Sequence, residues 1–237
     1  MSLKLVISDL DGTILETEDY HRRAYNALFG ELGLARRWSK EDYSDRLKTM
    51  GGEKFREIFE WLDCPAEEYE VTKTELYARK TELYVSLIVA DLKGNRLALR
   101  PGVARLFVEI GEHDIPLAIG SACVKWAALE VLEAALGKEF VGSLAVVCAG
   151  DDVERQKPQP DIYLLVAEQC GVRPADCLVL EDTAHGLHAA LAAGMSCVVT
   201  PSELARGHDF AGAHLVAESM EMPGRIGLEE LRALMPG

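Results

Sequence analysis

Short, nearly unbroken apolar runs recur along the chain: Leu5-Val6-Ile7, Pro116-Leu117-Ala118-Ile119, Leu144-Ala145-Val146-Val147, Cys177-Leu178-Val179-Leu180 and Cys197-Val198-Val199. A strand with one wet face alternates apolar and polar residues. These runs do not alternate, which predicts strands covered on both faces, as in a parallel sheet. Between them the apolar spacing becomes helical, over 103–112, 124–136, 161–170 and 184–193. Pro101-Gly102 opens the first of these helices. Gly137, Gly171 and Gly194 stand just past the ends of the others, where glycine commonly closes a helix. Strand and helix take turns, so the predicted fold is α/β, a doubly wound, Rossmann-like parallel sheet.

Residues 18–97 follow a different pattern and show no convincing strand. Ser39-Lys40-Glu41-Asp42 and Pro65-Ala66-Glu67-Glu68 read as helix starts. Glu67 to Ala90 reads as one long amphipathic helix, with Tyr69, Leu76, Leu83 and Leu87 among its apolar positions. An all-helical stretch directly after a first strand predicts an inserted helical bundle. The expected organisation is a core of residues 1–17 and 98–237 around a helical unit of 18–97. The chain would cross between them near Leu15-Glu16-Thr17 and Leu97-Ala98-Leu99.

In open α/β sheets ligands bind beyond the carboxyl ends of the strands, and four polar groups fall there. The first is Asp9-Leu10-Asp11-Gly12-Thr13. Side chains two apart on a strand share a face, and Asp-Gly then turns the chain. Two ionised carboxylates so close repel, so they call for Mg²⁺ or a shared proton; an exposed Asp-Gly turn is the plainer alternative. The second group is Ser121-Ala122, where a hydroxyl and backbone N–H groups can cradle a phosphate oxygen, although a helix N-cap explains the serine as well. The third is Lys157, in a loop stiffened by Pro158 and Pro160, where a solvated lysine is the alternative. The fourth is Glu181-Asp182, acids that are costly at the end of a buried strand unless a cation or donors meet them. Thr183 can cap the helix that follows. Together the four groups assemble a carboxylate nucleophile, a second acid, a metal cage and a phosphate cradle. His185 and His188, three apart at a helix start, are too few for a metal site and read as structural or as support behind the site residues.

Charge narrows the partners. A formal net charge of −14 over 237 residues argues against nucleic acid and against an anionic membrane surface. It leaves room for a phosphorylated small molecule, which a few local cations can hold. No apolar run approaches the roughly 20 residues that span a bilayer. The six cysteines show no zinc-ligand spacing and sit mostly in apolar contexts, as small buried hydrophobes do. With no signal-peptide pattern, the expected setting is the cytoplasm, as a monomer or weak dimer.

The order of motifs resembles the haloacid dehalogenase superfamily of phosphatases and phosphomutases, over nearly the whole chain. Asp9 to Thr13 looks like its first motif, Ser121 its second, Lys157 its third and Glu181-Asp182 its fourth. The helical insert sits where that superfamily carries a C1-type cap. Glu16-Thr17-Glu18, His21-Arg22-Arg23-Ala24, Thr49-Met50-Gly51-Gly52-Glu53-Lys54 and Arg100-Pro101-Gly102 look like the CbbY-type sugar-bisphosphate phosphatases. Those are associated with removing xylulose-1,5-bisphosphate, an inhibitor of Rubisco. The chain departs from them after Ser121, where Ala122-Cys123-Val124-Lys125-Trp126 stands in place of a stretch richer in Ser and Thr.

The resemblance implies that Asp9 is the nucleophile and Asp11 the acid and base. It implies Mg²⁺ on Asp9, the Asp11 backbone carbonyl and Asp182, with Glu181 reaching it directly or through water. Ser121, the Ala122 N–H and Lys157 would bind the transferring phosphoryl group. In the cap, Gly51 and Gly52 would let the backbone approach the substrate, Lys54 would hold a distal phosphate, and Glu18, His21 and Tyr43 would bond sugar hydroxyls. For Glu18 and His21 a solvated helix turn is the alternative, and for Tyr43 packing. A β-phosphoglucomutase-like phosphomutase is the related alternative activity. A non-catalytic phosphosugar-binding protein is a third, which has no use for a nucleophile.

Overall fold

The computed structural model describes residues 2–46, 51–221 and 224–236, without the side chains of 44, 45 and 51–54. In chain order the elements are β1 (Leu5–Ser8), α1 (Glu18–Glu31), α2 (Lys40–Arg46), α3 (Gly51–Trp61), α4 (Tyr69–Lys93), α5 (Val103–Glu112), β2 (Leu117–Gly120), α6 (Lys125–Leu136), α7 (Lys138–Ser143), β3 (Val147–Cys148), α8 (Asp161–Gln169), β4 (Cys177–Glu181), α9 (Ala184–Ala192), β5 (Ser196–Val199), β6 (Leu215–Val216) and α10 (Leu228–Ala233). The strands form one parallel sheet in the order β3-β2-β1-β4-β5-β6. This is the Rossmann-like arrangement that the alternation predicts.

The unbroken apolar runs have the expected physical cause. Every residue of β1, β2, β4 and β5 is buried. Ile7 faces Ala118 on one side and Val179 on the other. Tyr163 and Val166 of α8 and Leu187 and Ala190 of α9 join these residues in one core cluster. Because β1 is central and successive strands are added first on one side and then on the other, the switch in strand order lies beside β1. The carboxyl ends of β1, β2 and β4 therefore open on one crevice, where a doubly wound sheet binds its ligand.

Two strands differ from the sequence pattern. The run 144–147 narrows to the short β3, although Ala145 N–H still donates to Leu117 O (2.8 Å) and Ile119 N–H to Val146 O (2.9 Å). The edge strand β6 was not legible, since two residues with one half exposed leave no pattern to read.

Contacts divide the chain into two compact units, Met1–Glu16 with Leu92–Gly237, and Thr17–Asp91. The second division falls inside α4 (Tyr69–Lys93), a few residues before the 97/98 boundary read from the sequence. The helical unit is held by aromatic rings. Tyr25 lies 5.0 Å from Trp38 and 5.9 Å from Phe55, and Phe29 lies edge-on to Trp38 at 4.8 Å. Tyr20 Oη donates to Asp91 Oδ2 (2.8 Å), which Arg23 also reaches. The buried stripe of α4 is Lys80, Thr81, Tyr84, Val85, Ile88 and Asp91 rather than Tyr69, Leu76, Leu83 and Leu87. A buried lysine, a threonine and an aspartate displace that stripe from where hydropathy alone puts it. All six cysteines are free of disulfides. No described helix is long and apolar enough to cross a membrane.

Candidate active site

The site begins where β1 stops. Asp9 N–H donates to Leu180 O (3.0 Å), which continues the ladder to β4 by one residue and fixes Asp9 beside Glu181. Gly12 turns the chain with φ of +79°, and a side chain there would run into the Asp182 carboxylate. Glycine therefore satisfies both the left-handed backbone and the close approach of Asp182 to the first motif. Arg100 braces the same turn. Its guanidinium donates to Gly12 O, to Thr200 O (2.6 Å) and to Pro201 O (2.8 Å).

Ser121 follows β2 and is buried; its N–H donates to Cys148 O (3.1 Å) and its Oγ accepts from Cys123 N–H (3.1 Å). Lys157 is buried too, in a loop whose Lys157–Pro158 peptide is cis. Its Nζ donates to Asp9 Oδ1 at 2.5 Å and to Glu181 Oε1 at 2.7 Å. Beneath it the Tyr163 ring lies 4.8 Å from Nζ, and Tyr163 Oη donates to Glu181 Oε1 (2.6 Å). Glu181 Oε2 accepts from Asp182 N–H (3.0 Å), Thr183 N–H (3.1 Å) and Thr183 Oγ1 (3.2 Å). Thr183 Oγ1 also accepts from Gly186 N–H (3.1 Å), the N-cap of α9. Gly186 has no room for a side chain against the Glu181 carboxylate. Glu181 is thus built into the protein as the seat of Lys157. Its two oxygens take five hydrogen bonds.

Electrostatics follow from this geometry. Burial works against the Lys157 ammonium, but the charges of Asp9 and Glu181 outweigh it and hold Lys157 protonated, with its pKa raised. Burial pushes Glu181 up; the Lys157 charge and its hydrogen bond, with those from Tyr163 and Thr183, outweigh it and bring the carboxyl below its ordinary value. Asp9 carries the remainder. Burial raises its pKa well above the carboxylate range, Lys157 opposes this, and Glu181 and Asp11 add to it. One ammonium cannot neutralise two buried carboxylates with a third nearby. The excess negative charge of these carboxylates fits a hard divalent cation.

The sequence profile of the haloacid dehalogenase-like hydrolases matches residues 3–194. The chain belongs to that family. Haloacid dehalogenase-like hydrolases generally use a divalent metal. Among family members, the protein CbbY of Rhodobacter capsulatus is 39% identical over 214 residues, 90% of this chain and 92% of that one. A fructose-1-phosphate phosphatase of Escherichia coli is 31% identical over 81% of this chain and 94% of its own. Among solved structures, a point mutant of CbbY from Rhodobacter sphaeroides in complex with xylulose-1,5-bisphosphate superposes with a TM-score of 0.82. It is 34% identical, covering 97% of this chain and 99% of that one. This haloacid dehalogenase-like hydrolase is an enzyme of the α/β type, with a helical insert between its first two motifs.

The residues expected to read a sugar lie in the helical unit and fare unequally. Glu18 and His21 occupy the first turn of α1, part-buried. The His21 ring stacks on Tyr84 at 4.1 Å, and Lys80 Nζ lies 2.7 Å from His21 Nδ1. Lys80 was missed by sequence reading. It is buried among the rings of Tyr25 (5.2 Å), Tyr77 (5.9 Å) and Tyr84 (5.2 Å), a setting that exposes no signal in a hydropathy pattern. Tyr43 is 2% exposed and packs against Tyr25 and Trp38, as the packing alternative for this residue has it. Gly51 and Gly52 open α3; the Lys54 side chain, like residues 47–50, lies outside the described residues. Tyr163 and Cys123 were also missed, one being an apolar-looking helix position and the other a small residue in a loop.

Proposed function

We propose that the chain is a Mg²⁺-dependent phosphatase working through an aspartyl-phosphate on a small phosphorylated sugar, a sugar bisphosphate such as xylulose-1,5-bisphosphate. The reading is carried by Lys157 Nζ, seated between Asp9 Oδ1 (2.5 Å) and Glu181 Oε1 (2.7 Å) at the ends of β1 and β4. A buried ammonium beside a buried carboxylate that is not its structural anchor suits a nucleophile that must meet an anionic phosphoryl group. The reported complex of the R. sphaeroides protein supports the choice of substrate.

Asp9 attacks phosphorus. The bond from phosphorus to the sugar oxygen breaks, and Asp11 protonates that oxygen. Water then attacks the acyl-phosphate, Asp11 takes its proton, and Asp9 is released with inorganic phosphate. Ser121, the Ala122 N–H and Lys157 stabilise the charge spread over the transferring oxygens. Asp9, the Asp11 backbone carbonyl and Asp182 would hold the cation, while Glu181 keeps Lys157 in place. Bound there, Mg²⁺ supplies the positive charge that lets two anions approach. In the helical unit, Lys80 donating to His21 Nδ1 leaves the ring proton on Nε2, which makes His21 a donor for a sugar hydroxyl, with Glu18 as an acceptor. Residues 18 to about 97 are proposed to be the cap. The setting proposed is the cytosol, which suits six cysteines without a disulfide.

A screen of sugar mono- and bisphosphates for phosphate release tests the assignment. Steady release without a bisphosphate activator separates a phosphatase from a phosphomutase, and silence on every ester removes both. Stripping metal with EDTA should abolish turnover, and Mg²⁺ should restore it and raise the melting temperature. Full turnover after stripping would remove the metal from the scheme.

Lys54 is proposed to select for the distal phosphate. Lys54→Ala should cost a bisphosphate about ten- to a hundredfold in kcat/KM, the worth of a charge-assisted hydrogen bond. An aryl phosphate offers Lys54 nothing and should lose little. Equal losses on both substrates would make Lys54 a structural residue.

A further inference from the structure

Cys123 stands two residues past Ser121, in the stretch where the chain departs from the CbbY-type pattern. Its Sγ lies 2.8 Å from Asp11 Oδ2. The segment that carries it is fixed on several sides. Cys123 N–H donates to Ser121 Oγ (3.1 Å), and Cys123 O accepts from Gly150 N–H (2.6 Å). A side chain at Gly150 would run into the Ala122 carbonyl oxygen, so the two loops touch backbone to backbone. Lys125 N–H donates to Asp151 Oδ1 (2.8 Å), which ties the start of α6 to the same loop. The thiol is therefore presented by a rigid frame. Asp11 is carried by the Gly12 turn, and a contact that holds one carboxylate oxygen helps aim the other at a reacting group.

We propose that Cys123 is a positioning residue for proton transfer, its S–H donating to Asp11 Oδ2 so that Oδ1 faces the ester oxygen of the substrate. This rests on the phosphatase reading and deepens it. The proton balance is simple. Asp11 gives its Oδ1 proton to the departing sugar oxygen and later takes one from water on the same atom. The thiol keeps its own proton throughout, because Oδ2 accepts from it in both states of the carboxyl group.

Leaving-group dependence separates this role from a structural one. A sugar alkoxide cannot depart without a proton, whereas nitrophenolate can, so only the sugar ester needs Asp11 correctly aimed in the first step. The value of kcat/KM covers events through loss of the leaving group. Cys123→Ala should lower kcat/KM for a sugar phosphate about tenfold, a fraction of the 10²–10⁴ that general acid catalysis supplies. For p-nitrophenyl phosphate it should change less than about threefold. Cys123→Ser, which keeps a donor, should stay within about threefold of wild type on both esters. Circular dichroism confirms folding, and Cys123→Val, similar in volume and without a donor, replaces the alanine variant if that one is unfolded. Equal losses on both esters, no loss on either, or a serine variant as poor as alanine overturns the proposal and leaves the phosphatase reading standing. Wild-type enzyme that hydrolyses neither ester removes both.

Discussion

Asp9→Asn should lower turnover by about 10³-fold or more while leaving the protein folded. An amide oxygen cannot form the acyl-phosphate, so chemistry stops at the first step. The fold should not suffer, for a reason that lies in the same site. Burial raises the Asp9 pKa well above the carboxylate range, with Lys157 opposing and Glu181 and Asp11 adding to the shift. A carboxyl with a raised pKa resists being charged in the folded state, so the charged form costs stability above its ordinary pKa. Asparagine removes that charge, and its amide oxygen still accepts from Lys157. In EDTA the melting temperature of the variant should equal or exceed that of wild type at neutral pH. Phosphate release and a thermal melt check the two halves separately. Retention of more than a few per cent of activity would remove Asp9 as nucleophile, and a large fall in melting temperature would mean that its charge supports the fold.

What the sequence reveals depends on how a residue earns its place. The runs that became β1, β2, β4 and β5 are apolar because both faces of the sheet are covered, and no alternative explanation competes. Leu215-Val216 adds an edge strand by pairing with β5 alone, a property of the partner and not of its own composition. The acids Asp9, Asp11, Glu181 and Asp182 are conspicuous because charge at the end of a buried strand is costly. Their division of labour is not. Glu181 and Asp182 are adjacent in sequence, yet Gly186 and Thr183 close around one carboxylate and Gly12 around the other. Tyr43 and Lys80 reverse what their types lead one to expect: the tyrosine goes into the aromatic cluster, and the lysine is buried against His21. Side-chain polarity says that a residue can reach a ligand; only its neighbours decide whether it does.

Removing the Lys157 charge should damage activity and stability together. In Lys157→Met the Asp9 and Glu181 carboxylates lose the ammonium that lies 2.5 and 2.7 Å away. Breaking a buried ion pair from one side costs about 3–5 kcal/mol, because the partner is left charged and dry. The phosphoryl oxygens lose a donor as well, which alone costs about 10²–10³ in kcat. The pH dependence of the loss identifies its cause. In wild type Glu181 lies below its ordinary value because Lys157 and the other donors outweigh burial. Its contribution to stability is therefore present above the ordinary carboxyl pKa and is lost as pH falls through the depressed one. In the variant burial prevails, the carboxyl is raised instead, and protonation relieves the folded state. The stability gap between metal-free wild type and variant should be widest near neutral pH and should narrow on acidification towards the ordinary carboxyl range. Methionine fills the lysine's space beneath Asp9, so a cavity does not contribute. Denaturant titrations of both proteins in EDTA at neutral and mildly acidic pH measure the gap. A gap that is constant with pH would assign the loss to the cation–π contact of Lys157 with Tyr163, and no gap at all would mean that Lys157 is not seated between the two acids in solution.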